Sequence, residues 1–173
     1  IKYILSCAGE KVNFDVLIHT SFIMKTHVLI LSQTFPKGHP DEGKPTRFGA
    51  SVVQQVKIHT IRNGFEDWTR KISEVLSGEA RLSIRIWEDK PYRSRQIELL
   101  SLDKNSGVGI QKLRSFDDKT AYFIGSKGNV LPVSLQELAN NDGLSLNEWK
   151  GWFKDNAKFP LAIIHFTDFR YTI

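Results

Sequence analysis

The sequence predicts one α+β domain, and three observations carry that prediction. Apolar residues recur at period two in several short segments, other segments repeat them at helical spacing, and the two kinds of segment do not alternate strictly along the chain. A doubly wound sheet would need that alternation. The 173 residues suit one domain, 40% of them are hydrophobic, and eleven Phe and four Trp supply a core. No repeat, linker or low-complexity segment divides the chain.

The first 23 residues stand apart. The chain begins at Ile1, its one Met is Met24, and a strand-like run, Val28-Leu29-Ile30-Leu31, follows soon after. Residues 1–23 therefore read as an upstream or non-native extension and 24–173 as the domain, with an extra strand over 12–18 as the other reading. Glu10, Asp15 and His19 interrupt any apolar signal-peptide core.

After the first strand, Pro36, Gly38, Pro40, Gly43 and Pro45 enforce a loop over 34–45. Phe48, Val52 and Val56 at four-residue spacing predict a helix over 46–56 with Thr46 as N-cap, weakened by Gly49. Ile58, Thr60 and Ile61 then predict a strand over 57–62, ending at the Asn63-Gly64 turn. Trp68, Ile72, Val75 and Leu76 mark a helix over 65–76 that Gly78 stops.

Residues 81–87 alternate, which points Leu82, Ile84 and Ile86 inward and Arg81, Ser83, Arg85 and Trp87 outward. A turn at 88–91 sends a return strand over 92–102, with Arg93 and Arg95 on one face. A second hairpin joins 121–124 to 129–133. Ser134 with Glu137, and Ser145 with Glu148, have capping-box spacing and predict helices to about Asn140 and Lys154. The last strand covers 161–166.

Lys and Arg outnumber Asp and Glu, 24 to 19, for a net charge of +5 and a pI near 9.3, which favours an anionic partner. No apolar run approaches the ~20 residues of a membrane span. The lone Cys7 makes neither an internal disulfide nor a zinc site, so the chain reads as one for a reducing compartment, the cytoplasm. The five His lack ligand spacing, Gly125-Ser126-Lys127-Gly128 lacks the P-loop pattern, and no nucleophile elbow occurs. No metal or cofactor is assigned. His165, Trp149, Trp152 and Phe153 read as core.

The chemistry concentrates in Lys57-Ile58-His59-Thr60-Ile61-Arg62. In a regular strand Thr60 and Arg62 share a face, and Lys57 joins them only if the strand starts after it. Two cations and a hydroxyl converging there suit a phosphate, a carboxylate or a polarised carbonyl. On composition alone, a Lys and an Arg on a strand more often belong to a solvated surface than to a site.

Lys57-x-x-Thr60-Ile61-Arg62, followed far downstream by Asp142-Gly-Leu-Ser-Leu-Asn-Glu148-Trp-Lys and a closing Ile163-Ile-His-Phe166, resembles the ASCH domain of the PUA-like β-barrel superfamily. The resemblance covers roughly residues 46–171, with 63–131 longer than in compact members. It implies a curved, partly open barrel with short flanking helices, whose cleft takes RNA or a modified nucleoside. Some members are similar to amidohydrolases that deacylate N4-acetylcytidine with a Lys, a Thr and a Glu. Carried over, the Lys falls on Lys57, the Thr on Thr60, the Arg on Arg62 and the acid close to Asp142. Two positions depart from the family: Gln55 stands where a Gly is usual two residues before the Lys, and Asp142 stands for Glu.

On that resemblance the expected function is binding of RNA or a modified nucleotide, the alternative is an amidohydrolase using Lys57, Thr60 and Asp142, and a third reading is a protein-interaction domain. Asp142 also fits a plain turn at Asn140-Asn141-Asp142-Gly143. Arg62 would bind nucleic acid in the cleft, and Arg81, Arg85, Lys90, Arg93 and Arg95, a basic ribbon around the hairpin tip interleaved with Trp87 and Tyr92, would extend that surface by gripping phosphates and stacking bases; a solvated hairpin fits the ribbon as well.

Overall fold

Residues 24–125 and 127–172 are described in a computed structural model of the chain. The expected extension at 1–23, the possible strand over 12–18, Cys7 and Ser126 lie outside the described residues. Among the described residues, eight strands form two sheets, accompanied by four helices.

The smaller sheet contains β1 (Lys25–Ile30), β3 (Ala80–Trp87) and β4 (Gln96–Leu102), in the order β1-β3-β4. β1 runs parallel to β3, and β3 antiparallel to β4 with a bulge between Ile84 and Arg85. The larger sheet has the order β2-β8-β5-β6-β7, built from β2 (His59–Arg62), β5 (Gly109–Phe116), β6 (Thr120–Ile124), β7 (Val130–Ser134) and β8 (Leu161–His165), with every pairing antiparallel. β8 is flanked by β2 and β5 and all five of its residues are buried, which accounts for its unbroken Leu-Ala-Ile-Ile-His composition. The two sheets are separate ladders, and the pairings do not close into a barrel.

α1 (Phe48–Val53) is shorter than its predicted span, because Gln55 turns into the left-handed conformation at φ 58°. Val56 consequently lies exposed instead of continuing the apolar stripe. The residue at the N-cap is Arg47, and Thr46 Oγ1 accepts only a long 3.4 Å bond from the Phe48 amide while donating to the Ser32 carbonyl. α2 (Phe65–Ser77) matches its predicted span and sets Ile72 and Val75 into the core, although Leu76 faces solvent. α3 (Leu135–Asn141) and α4 (Leu146–Phe153) follow β7.

Only one of the two capping boxes forms. Ser145 accepts from the Glu148 amide and Glu148 Oε2 accepts from the Ser145 amide, whereas Ser134 makes no side-chain cap because it ends β7. The return strand β4 begins at Gln96, so 88–95 is a loop around the hairpin tip and Arg93 and Arg95 do not sit on a strand. Ser83, expected outward, is fully buried, where its hydroxyl bonds Glu98 and accepts from Arg85 Nε at 2.7 Å. β5 has no counterpart in the predicted elements.

No helix among the described residues is long and apolar enough to cross a membrane. They contain no group of three or more His, Cys, Asp or Glu placed to hold a metal ion.

Candidate functional site

The left-handed turn at Gln55 decides where Lys57 goes. The amides of Val56 and Lys57 both bond the Ser51 carbonyl, β2 starts only at His59, and Lys57 is thus released from strand alternation. Its side chain turns into the interior and is 2% exposed. There the amine lies 4.1 Å from the Phe48 ring centroid, donates to the Asp142 carbonyl at 2.7 Å, and forms a short ion pair with the Asp142 carboxylate. Asp142 caps the C-terminus of α3 and is 3% exposed. Residues 85 apart in sequence therefore form one buried pair.

Burial is the main influence on both charges. It brings the Lys57 amine down to about 8, against the stabilising Asp142 carboxylate and with a smaller push from Arg62. It raises the Asp142 carboxyl against the pull of Lys57 and Arg62. The Trp149 indole faces the same carboxyl but its N–H falls short of hydrogen-bond geometry.

Thr60 and Arg62 share a face of β2, as alternation requires, but they part from Lys57 in their contacts. Thr60 is buried opposite Ile164 of β8. Half-buried Arg62 donates to the carbonyls of Ile61 (2.9 Å) and Ile30 (3.0 Å), and so ties β2 to the end of β1. Its charge acts on Asp142 through space.

A cavity of about 510 Å³ lies in front of the pair, lined by Asp41, Lys44, Thr46, Arg47, Ser51, Gly143 and Glu148 among others. Lys57 is behind its wall: a Cβ added at Gly143, where φ is +73°, would stand 3.0 Å from Lys57 Cβ and 3.4 Å from Ser51 Cβ. Only glycine lets the turn after α3 pass this closely over the lysine. The loop over 34–45 forms the other side, pinned to α4 by His39, whose Nε2 meets the Glu148 carbonyl at 2.8 Å.

No protein-family model, curated protein or solved structure matches the chain.

What the site can do follows from its own geometry. At the hairpin, Trp87 and Tyr92 rings pack 5.3 Å apart and line a second cavity of about 410 Å³ with Ser32, Gln33, Thr34 and Asp89. Tyr92 is 89% exposed and held at φ 62°. The basic residues beside it are mostly engaged: Arg95 bonds both Glu88 oxygens at 2.8 Å, Arg85 meets Ser83, Gln96 and Glu98, and Arg81 meets Glu98. Lys90 and Arg93 have no carboxylate partner among the described residues and are exposed.

Arg47, Ser51 and Thr46 line the first cavity and escaped the sequence reading. Arg47 is on an irregular turn with φ 58°, a position that no periodicity marks.

Proposed function

We propose that the chain is an ASCH-type, PUA-like domain that binds single-stranded RNA or a modified nucleotide. The observation that carries this reading is the adjacency of the two cavities. Thr34 lines the aromatic one, Pro45 lines the polar one, and these two residues are paired as a β-bridge across the neck of the 34–45 loop. Arg47 with the Thr46 and Ser51 hydroxyls on one side of the neck, beside the Lys44–Asp41 ion pair and Glu148, suits a sugar-phosphate, and the Trp87–Tyr92 pair on the other suits an unstacked base.

Gln55 also supports the resemblance. Its φ of 58° is the backbone that a glycine adopts readily, so the departure from the family Gly keeps the turn and strains the residue. Gln55→Gly is expected to raise stability by about 1 kcal/mol, read from the urea midpoint. A loss of stability would show that the turn does not require that conformation.

Binding is tested by fluorescence anisotropy with a short labelled single-stranded RNA across a salt series. Affinity is expected to fall with salt by a slope of about −0.7 per phosphate contacted. Arg47→Ala should reduce that slope, and Tyr92→Ala should lower affinity by about 1–3 kcal/mol at every salt concentration. Salt-independent binding, or two variants indistinguishable from the parent, would overturn the reading.

One observation favours the amidohydrolase alternative: the buried Lys57 amine, lowered to about 8 and bonded to Asp142, is a usable proton acceptor beside a proton carrier. Deacylation of N4-acetylcytidine by the parent, lost in a Lys57→Met variant whose circular dichroism shows it folded, would establish it. That chemistry also needs the wall at Ser51 and Gly143 to open, because the amine does not face the cavity.

A further inference from the structure

Asp142 has a neighbour that neither reading uses. His59, the first residue of β2, is fully buried, with Nδ1 3.9 Å from Asp142 Oδ1 and Nε2 2.8 Å from the Tyr171 hydroxyl. The Tyr171 oxygen also accepts from Asn141 Nδ2 at 2.9 Å. A phenol has one proton, and among the described residues His59 Nε2 is the one acceptor in reach of it, so that proton goes to His59 Nε2. His59 Nε2 must then be the bare nitrogen and Nδ1 must carry the hydrogen. That N–H has no hydrogen-bond partner among the described residues and stands 3.9 Å from an oxygen of the Asp142 carboxylate.

We infer that His59 is a positioning residue for the Lys57–Asp142 pair, presenting to the carboxylate an Nδ1–H that Asn141 and Tyr171 hold in place. The inference rests on the proposed function only in that the pair backs the wall of its polar cavity. The chain of donors runs one way, from Asn141 through Tyr171 and His59 toward Asp142, and ends on the ion pair. At 3.9 Å the last step is an electrostatic contact and not a hydrogen bond, so it supports the carboxylate's charge without fixing its rotation. Asn141 precedes Asp142 at the end of α3, and its carbonyl accepts from the Ile58 amide at 3.0 Å, so one helix end anchors both ends of the relay.

Nitrogen-15 NMR of the His59 ring in the free, full-length chain reads the tautomer directly. Protonated Nδ1 and bare Nε2 are expected; the reverse overturns the inference. Two substitutions then separate positioning from packing, since both lose the ring: His59→Asn keeps a donor near the Nδ1 position and His59→Gln keeps one only near Nε2. Asp142 is faced by Lys57, Arg62 and His59. Its carboxyl, followed by carbon-13 NMR, is expected to hold a proton about threefold more tightly in His59→Gln than in His59→Asn, the effect of losing an N–H dipole beyond hydrogen-bond distance.

Equal titration in the two variants overturns the inference. If either fails to fold, Tyr171→Phe keeps the ring and removes only the hydroxyl; a mixed tautomer with tighter proton binding at Asp142 is expected, and an unchanged spectrum overturns the inference. RNA that fails to bind the parent counts against the proposed function, and the ligand-free readings still decide His59.

Discussion

Lys57→Met is expected to destabilise the protein by about 3–5 kcal/mol, because it removes the cation that pairs, among the described residues, with a carboxylate buried with it. Asp142 is 3% exposed, its pair with Lys57 spans 85 residues, and the nearest other cation, Arg62, is occupied with two backbone carbonyls. The methionine keeps the length and the contact with Phe48, so the loss reports charge and not a cavity. Replacing both partners, Lys57→Met with Asp142→Leu, should recover most of the stability, since neither ion then has to leave water. Urea denaturation of the parent, the two single variants and the double variant measures the coupling. A double variant as unstable as the sum of the singles would show that the pair is not the source of the loss.

Acidification should unfold the protein through two histidines of the buried aromatic cluster. His59 and His165 sit in adjacent strands with ring centroids 5.6 Å apart, and neither nitrogen of His165 nor Nδ1 of His59 has a partner among the described residues. Burial holds His59 well below its ordinary 6.5 and brings His165 down to about 3. The unfolded chain protonates these rings near 6.5 while the folded chain does not, so the unfolded state binds more protons between 6.5 and about 3. Stability therefore falls as pH drops through that window, by about 1.4 kcal/mol per pH unit for each histidine below its unfolded pKa. Asp142 works the other way, since its raised carboxyl takes up a proton in the folded state first.

The decisive measurement is the slope of unfolding free energy between pH 5 and 6. His165→Leu removes one of the two contributions and should roughly halve that slope, and above pH 7.5 its curve should run parallel to the parent's. A slope unchanged by the substitution would mean that His165 is not held neutral.

The legible parts of the fold are those whose reasons are local. α2 ends where Gly78 reaches φ 85°, the Ser145 capping box closes within four residues, and the apolar run of β8 reports burial on both faces of its sheet. The elements that escaped reading depend on distant partners. β5 reads Gly-Ile-Gln-Lys-Leu-Arg-Ser-Phe without clean alternation, because it is a strand only through its ladders to β6 and β8. Ser134 has the spacing of a cap but is committed to β7, and α1 stops early because Gln55 turns left-handed against the preference of its own side chain.

The candidate site divides in the same way. Lys57, Thr60 and Arg62 stand out as residue types within six positions, and Asp142 stands out as the acid of a distant block. That Lys57 escapes strand alternation, meets Asp142 in the interior, and leaves Arg62 to bridge two sheets depends on the turn at Gln55 and the end of α3. The Arg85 to Arg95 ribbon looks cationic in sequence, whereas Glu88 and Glu98 neutralise much of it across the hairpin.

The sequence by itself determined an α+β domain, the position of most strands and helices, the +5 charge and the short stretch where chemistry would concentrate. Only the tertiary structure decided that the Lys57–Asp142 pair is buried behind a cavity wall, that the His59 ring lies between Asp142 and Tyr171, and that Thr34 and Pro45 set two cavities side by side. The physical reason is range. Propensity, capping and periodicity act within a few residues, whereas desolvation and ion pairing depend on which distant segments the folded chain brings into contact.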